Sequence, residues 1–271
     1  VHELYFIYRV ENIYGIPYGL QGFIPRYRHP FIDLTPSFVE NIHELGGTVL
    51  GSSRGSQDIG EIVDAIERVN LNIVFFIGGD GTLKAASAVA REMLARGYTG
   101  SVIAIPKTID NDISFVSQTF GFDTAVEESR KVIQCAHVES RGAPCGIGLV
   151  KLMGRDSGFI AANAALACRD ANFVLVPEED FDLEGEKGFL ATLERRLKAR
   201  GHAVVVVAEG AGQKFFGDLQ QQTDPSGNVK KGDIGLFLKE RIEEYFTARQ
   251  LQVNLKYIDP SYVIRSIVAN A

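Results

Sequence analysis

The feature that most constrains this chain is an alternation of short β-branched runs with longer stretches of helical spacing. The runs are residues 48–51, 73–77, 102–105, 146–150, 173–176 and 203–208. They are continuously apolar, which suits strands buried on both faces. Between them, residues 59–69, 83–95, 124–135, 158–167, 186–199 and 234–246 carry apolar positions at helical spacing. Strand, helix, strand in this rhythm predicts βαβ units in a parallel sheet, hence an α/β fold. Arg141-Gly142-Ala143-Pro144 interrupts a helical pattern just before a strand, so we expect a domain boundary there. That gives a first domain over 1–142, a second over 143–258, and a return segment over 259–271. Residues 213–232 are polar and read as an exposed loop, with Asp224-Pro225-Ser226-Gly227 as a turn.

Composition narrows the function classes. A hydrophobic fraction of 45% with 23% charged residues is that of a soluble globular chain, and no apolar run has the length of a membrane span. The formal charge of −6 argues against a nucleic-acid partner, which needs a basic face. It leaves a nucleotide enzyme open, because there the cations need only line a cleft. Cys135, Cys145 and Cys168 show no CxxC or metal spacing and read as reduced thiols. This fits the cytoplasm, with a glycosome or plastid also open.

Two motifs carry chemistry. Gly78-Gly79-Asp80-Gly81-Thr82 lies between the strand at 73–77 and the next helix, at the carboxyl end of a parallel strand where open α/β sheets bind ligands. Glycines let phosphates approach the backbone, and a helix start offers unpaired N–H groups. Asp80 is placed to reach a nucleotide-bound Mg²⁺. The bland alternative is a tight turn in which Asp80 and Thr82 cap the helix. The second motif is Pro106-Lys107-Thr108-Ile109-Asp110-Asn111-Asp112, directly after the strand at 102–105. Two carboxylates and a lysine at a strand end can take a proton from an attacking hydroxyl and orient a metal ion.

These motifs occur with Gly121-Phe122-Asp123-Thr124-Ala125, Lys151-Leu152-Met153-Gly154-Arg155 and Ala208-Glu209-Gly210-Ala211-Gly212. In order and spacing the set resembles the 6-phosphofructokinase family, from Ile13-Tyr14-Gly15 to the end. It is most similar to the branch of plants, trypanosomatids and some bacteria in which PKTIDND replaces PGTIDND. GGDGT alone also occurs in lipid and NAD kinases, whereas PKTIDND and KLMGR do not fit them.

The resemblance implies two Rossmann-like three-layer α/β/α domains with mainly parallel sheets. It implies transfer of the γ-phosphoryl group of ATP to the 1-hydroxyl of fructose 6-phosphate, with Mg²⁺, in glycolysis. It also implies an allosteric homo-oligomer, a tetramer in most members, with no nucleic-acid or membrane partner. Asp110 resembles the base for the sugar hydroxyl, and Thr108 the residue steadying the transferred group. Arg155 resembles an arginine that neutralises charge there. Gly79, Asp80, Gly81, Thr82, Arg54 and Lys107 resemble the nucleotide side, with Asp80 and Asp112 serving the metal. Met153, Gly154 and Glu209 resemble sugar contacts, and Lys256, Tyr262 and Arg265 resemble 6-phosphate ligands; the bland reading of Lys256 and Arg265 is ordinary surface charge.

Gly81 bears on the phosphoryl donor. Pyrophosphate-dependent members resemble GGDD, whose second aspartate fills the α-phosphate space; Gly81 leaves it open and points to ATP. Lys107 points the other way, because pyrophosphate enzymes share it. The family's opening strand and glycine loop of the type GGxxPGxN have no counterpart before Val1, and its helices continue past Ala271. The expectation is therefore a fragment that is inactive by itself; a pyrophosphate enzyme or a non-catalytic family member are the alternatives.

Overall fold

A computed structural model describes residues 1–221 and 229–270. The turn expected at 224–227 lies outside them. The chain divides into two compact units, one of Val1–Lys107 with the tail from Ser266, the other of the described residues from Thr108 to Arg265.

The first unit holds α1 (His2–Phe6), β1 (Tyr14–Gly15), β2 (Ile32–Asp33), α2 (Pro36–Val39), α3 (Ile59–Val69), β3 (Ile73–Gly78), α4 (Asp80–Ala95) and β4 (Ser101–Pro106). β3 and β4 pair in parallel, Gly78 level with Pro106. α3 starts where Asp58 accepts the Glu61 N–H at 2.9 Å, and it stops at Asn70, whose φ of 57° suits asparagine. Ile62, Val63 and Ile66 of α3, Val89 and Met93 of α4, and Phe23 and Ile24 bury Val74 and Phe76. The opposite face is bare among the described residues: Ile73, Phe75, Ile77 and Ile103 are between 42% and 62% exposed. The strand expected at 48–51 is a turn instead. Gly51 N–H reaches back to the Thr48 carbonyl at 3.3 Å, and Gly51 has a φ of +69°. Three residues, Thr48 to Leu50, beside such a glycine make a turn as readily as a strand.

The second unit holds α5 (Phe122–Gly142), β5 (Gly146–Leu152), α6 (Phe159–Cys168), β6 (Phe173–Leu175), α7 (Phe189–Arg200), β7 (His202–Ala208), α8 (Ile234–Ala248), β8 (Asn254–Ile258) and α9 (Ser261–Ser266). Its four strands run parallel in the order β6-β7-β5-β8. Ile147, Leu149, Ala203, Val205 and Val207 face Leu193 of α7 and Leu238 and Ile242 of α8. The alternate residues Val150, Leu152, Val204, Val206 and Ala208 face Ile133 and Ala136 of α5 and Ile160 and Ala164 of α6. This is the three-layer sandwich that continuous apolar strands require.

The division after Lys107 differs from the expected boundary near 142. α5 buries Ile133 and Ala136 against β5 and β7, so it belongs with the second unit. Ile264 is buried in the same cluster and holds 259–265 there, which shortens the expected return segment. The loop expected from 213 begins as a 3₁₀ stretch, Gln213–Gln221, where Phe215 and Phe216 rest on the cluster that holds Leu193, Leu238 and Ile242.

Candidate active site

In the first unit β3 ends at Gly78 and α4 begins at once, with Gly79 as its N-cap residue. A Cβ at Gly78 would collide with the Thr82 side chain, so glycine is what lets the first turn close on the strand end. Thr82 and Leu83 N–H groups reach the Gly79 carbonyl at 2.9 and 3.1 Å, and no side chain caps the helix. The capping alternative for Asp80 and Thr82 is thereby removed. The exposed Asp80 carboxylate pairs with Lys84 at 2.6 Å. At Gly81 an added Cβ would meet nothing within 4 Å. The Lys107 N–H donates to the Gly78 carbonyl at 2.9 Å, so the second motif starts beside the first. Arg54 is exposed on a loop tied down by the Ser53 hydroxyl, which donates to the Tyr18 carbonyl at 2.6 Å. It makes no hydrogen bond or ion pair among the described residues.

In the second unit the chain leaves β5 at Leu152 and β7 at Ala208, which lie level in the sheet. The two exits interlock: Glu209 N–H donates to the Leu152 carbonyl at 2.9 Å, and Gly210 N–H to the Gly154 carbonyl at 3.0 Å. Gly154 has a φ of +127°, a conformation that favours glycine, and a Cβ on Gly210 would strike the Arg155 carbonyl. Met153, Gly154, Arg155 and Glu209 are thus held together at the carboxyl end of the sheet, where such sheets bind ligands.

Asp110 joins this group. Burial, reinforced by the nearby charges of Asp112 and Glu209, pushes its carboxyl up to about 6, against the opposing pull of the Arg155 backbone N–H and of Arg265. Its backbone is fixed from two sides. The buried Ser157 donates its hydroxyl to the Asp110 carbonyl at 3.0 Å. The buried Thr119 donates its hydroxyl to the Thr108 carbonyl at 2.6 Å and its N–H to the Asn111 side chain at 2.8 Å. Asn111 takes the left-handed turn, with a φ of 54°. Asp112 is exposed beside it.

The arginines have present partners. Arg155 donates to the Val229 carbonyl at 2.6 Å, while Lys231 holds the Arg155 carbonyl and pairs with Asp156 at 2.6 Å. Arg265, on α9, donates to the Met153 sulfur at 3.1 Å. Tyr262, on the same helix, is exposed. Lys256 stands apart: it is exposed and lies level with Gly148, in mid-strand. Thr119, Ser157 and Lys231 escaped the sequence reading, because their partners lie far along the chain and leave no spacing signature.

The donor set suits a magnesium ion better than a metal that needs a closed cage. Among the described residues no three His, Cys, Asp or Glu side chains form a metal-holding group. Magnesium asks for only one or two carboxylates, with phosphate oxygens and water completing its shell. Asp80 supplies an exposed carboxylate whose present partner is a flexible lysine.

The phosphofructokinase family model matches residues 3–271. An ATP-dependent 6-phosphofructokinase of Borreliella burgdorferi is 53% identical over 100% of this chain and 62% of its own length. ATP-dependent 6-phosphofructokinase 7 of Arabidopsis thaliana is 47% identical over 100% of this chain and 56% of its own length. The chain thus spans about three-fifths of the length of these relatives. Among solved structures, a pyrophosphate-dependent phosphofructokinase from Marinobacter aquaeolei superposes with a TM-score of 0.73 at 19% identity, over 97% of this chain and 62% of that one. At that identity the likeness speaks for the fold alone. Motif order, the interlocked strand ends and a family match of nearly full extent agree: the chain belongs to the phosphofructokinase family.

Proposed function

We propose that the protein is an ATP-dependent 6-phosphofructokinase, moving the γ-phosphoryl group of ATP onto the 1-hydroxyl of fructose 6-phosphate. The observation that carries the reading is Asp110: a carboxyl held near 6 by burial, its backbone locked on both sides, beside Arg155, Glu209 and Arg265. A general base works best with a pKa close to the working pH. Asp110 takes the proton of the 1-hydroxyl as that oxygen attacks, and Thr108 steadies the transferred group. Arg155 swings from the Val229 carbonyl onto the phosphoryl oxygens, where its planar fork neutralises spreading charge. Met153, Gly154 and Glu209 hold the sugar, and Arg265 receives the 6-phosphate with Tyr262 and Lys256.

On the nucleotide side, Gly79, Gly81 and Thr82 offer backbone groups to phosphates, and Arg54 and Lys107 offer charge. Asp80 and Asp112 would hold Mg²⁺, which supplies neutralisation of phosphate charge during transfer. The open space at Gly81 supports ATP as donor. The names of the Borreliella and Arabidopsis relatives support it too. By the family resemblance we propose a homotetramer acting in the cytoplasm, with a glycosome or plastid as the alternatives. Among the described residues no helix is long and apolar enough to cross a membrane.

The test is a donor comparison. With fructose 6-phosphate and Mg²⁺, the full-length native protein should form fructose 1,6-bisphosphate from ATP at a rate well above that from pyrophosphate. A preference for pyrophosphate, or turnover with neither, would sink the reading.

A further inference from the structure

Lys151 is a charged residue inside the central strand of the second unit. It shares a face of β5 with Ile147 and Leu149, and its side chain is only 12% exposed. Its ammonium lies 3.1 Å from Asp233 and 2.8 Å from Asp259. Each carboxylate has a second task. Asp233 caps α8, its Oδ1 accepting the N–H groups of Gly235 and Leu236 at 3.0 and 3.1 Å, while Oδ2 takes Lys151. Asp259 opens α9, its Oδ1 accepting the N–H and hydroxyl of Ser261 at 3.0 and 2.5 Å, while Oδ2 takes Lys151. One ammonium therefore staples two helix starts to the strand that delivers Met153, Gly154 and Arg155.

Both helix starts lead to the site. α9 carries Arg265, which touches Met153. Just before Asp233, Lys231 grips Arg155 and Asp156, and Val229 receives the Arg155 guanidinium. Burial works against charge on Lys151, yet the carboxylates of Asp259 and Asp233 outweigh it and hold the ammonium above its ordinary pKa. The staple is thus a permanent cation over the working pH range.

We propose that Lys151 is a positioning residue of the sugar-phosphate site, setting Arg265 through Asp259 and the Arg155 strap through Asp233. The proposal rests on the function proposed above. Without the ammonium, two carboxylates that share one cation are left facing each other, and their repulsion loosens both helix starts from the strand. The Asp259 arm then governs sugar-phosphate affinity, and the Asp233 arm governs turnover.

The experiment uses the full-length native protein with Lys151→Met, Lys151→Arg, Asp259→Asn and Asp233→Asn. Lys151→Met should raise KM for fructose 6-phosphate several-fold, leaving KM for ATP within about twofold, since both helix starts lose the cation they share. Lys151→Arg should recover most of the loss. Asp259→Asn should act mainly on that KM, and Asp233→Asn mainly on kcat. In the absence of substrate, Lys151→Met should speed amide exchange at residues 261–266 and 235–237 and leave β7 unchanged. Equal shifts of both KM values, or neither, overturn the proposal, as does unaltered exchange at 261–266. Should Lys151→Met fail to fold, the two aspartate variants decide by the same split. A wild-type protein that does not phosphorylate fructose 6-phosphate would remove the proposed function, while the exchange data would still judge the staple.

Discussion

The two sheets are built from strands of one kind and end up in opposite circumstances. In the second unit, Ala203 through Ala208 are all fully buried between two helical layers, and the strand exits are cross-bonded to each other. In the first unit, β3 buries Val74 and Phe76 under α3 and α4 while Ile73, Phe75 and Ile77 face outward. The chemistry follows the same division. Asp110, whose proposed role is favoured by a raised pKa, sits among buried locks in the second unit. Asp80, Arg54 and Lys107, whose proposed partners are charged phosphates and a metal, are exposed in the first. Proton abstraction calls for desolvation and fixed geometry; phosphate and metal capture call for reach.

The largest expected effect tests the packing side of the contrast. Leu149→Ala, in the middle of β5, should cost about 2–5 kcal/mol, the range for emptying a closed core site. In the 271-residue chain Phe75→Ala, on the bare face of β3, should cost less than about 1 kcal/mol, because its ring keeps much of its contact with water. Urea unfolding of both variants measures the difference. Equal losses would mean that the two sheets are equally covered in solution, and the contrast would fall.

Asp110→Asn tests the chemical side. We expect kcat to fall at least about 100-fold, the low end for losing a general base. Stability should move the other way. The folded carboxyl sits at about 6, above its ordinary 3.8, so the folded state prefers it protonated. Wild type therefore has full stability from this group below about pH 4 and loses it as pH rises through 6. The asparagine variant escapes that loss, so its gain over wild type should be absent at pH 4 and reach at most roughly 3 kcal/mol above pH 7. Melting curves at both pH values check the sign. A variant less stable than wild type at pH 8 would show that Asp110 is structural rather than strained for function.

Gly81→Asp sharpens the contrast from the open side. A Cβ there meets nothing within 4 Å, so stability should change by no more than about 0.5 kcal/mol. The new carboxylate would face nucleotide phosphates, and KM for ATP should rise about tenfold or more. Unchanged ATP kinetics would displace the nucleotide from this glycine.

How much of this was legible beforehand depends on which physical signal each part leaves. Five of the six apolar runs are strands, since a buried parallel strand announces itself by composition. β8 was missed because Asn254 and Lys256 break the apolar run at an edge position that tolerates them. The pattern at 73–77 and 102–105 reads as strands with two covered faces; composition states that demand, and only the structure reveals that one face is bare among the described residues. In the candidate site, Asp110 lies in a motif that the sequence places at a strand end, and Arg155 and Glu209 were named through the family resemblance. Thr119 and Ser157 were not, because hydroxyls that bond to backbone carbonyls 11 and 47 residues away carry no local pattern. The Lys151 staple hid for a similar reason: its two aspartates lie 82 and 108 residues downstream, and nothing but the fold joins them.

The smallest expected effect lies at the exposed end of the contrast, in the pair between Asp80 and Lys84. The two side chains meet at 2.6 Å, yet both are well exposed, and an i,i+4 pair of this kind contributes little to stability. Lys84→Ala should therefore leave the melting temperature almost unmoved. Its consequence is competition. If Asp80 serves Mg²⁺, the lysine must be displaced when the ion arrives, and the pair's free energy is charged against metal binding. An exposed pair is weak, so removing Lys84 should lower the half-saturating Mg²⁺ concentration by no more than about fivefold. The effect should fade at high salt, where the exposed pair is already screened. A rise in half-saturating Mg²⁺ would assign Lys84 to the phosphates instead of to Asp80. A change of more than tenfold in either direction would mean that this carboxylate is far less exposed in the working protein than the first unit's structure describes, and the division between a buried chemical site and an open capture site would need redrawing.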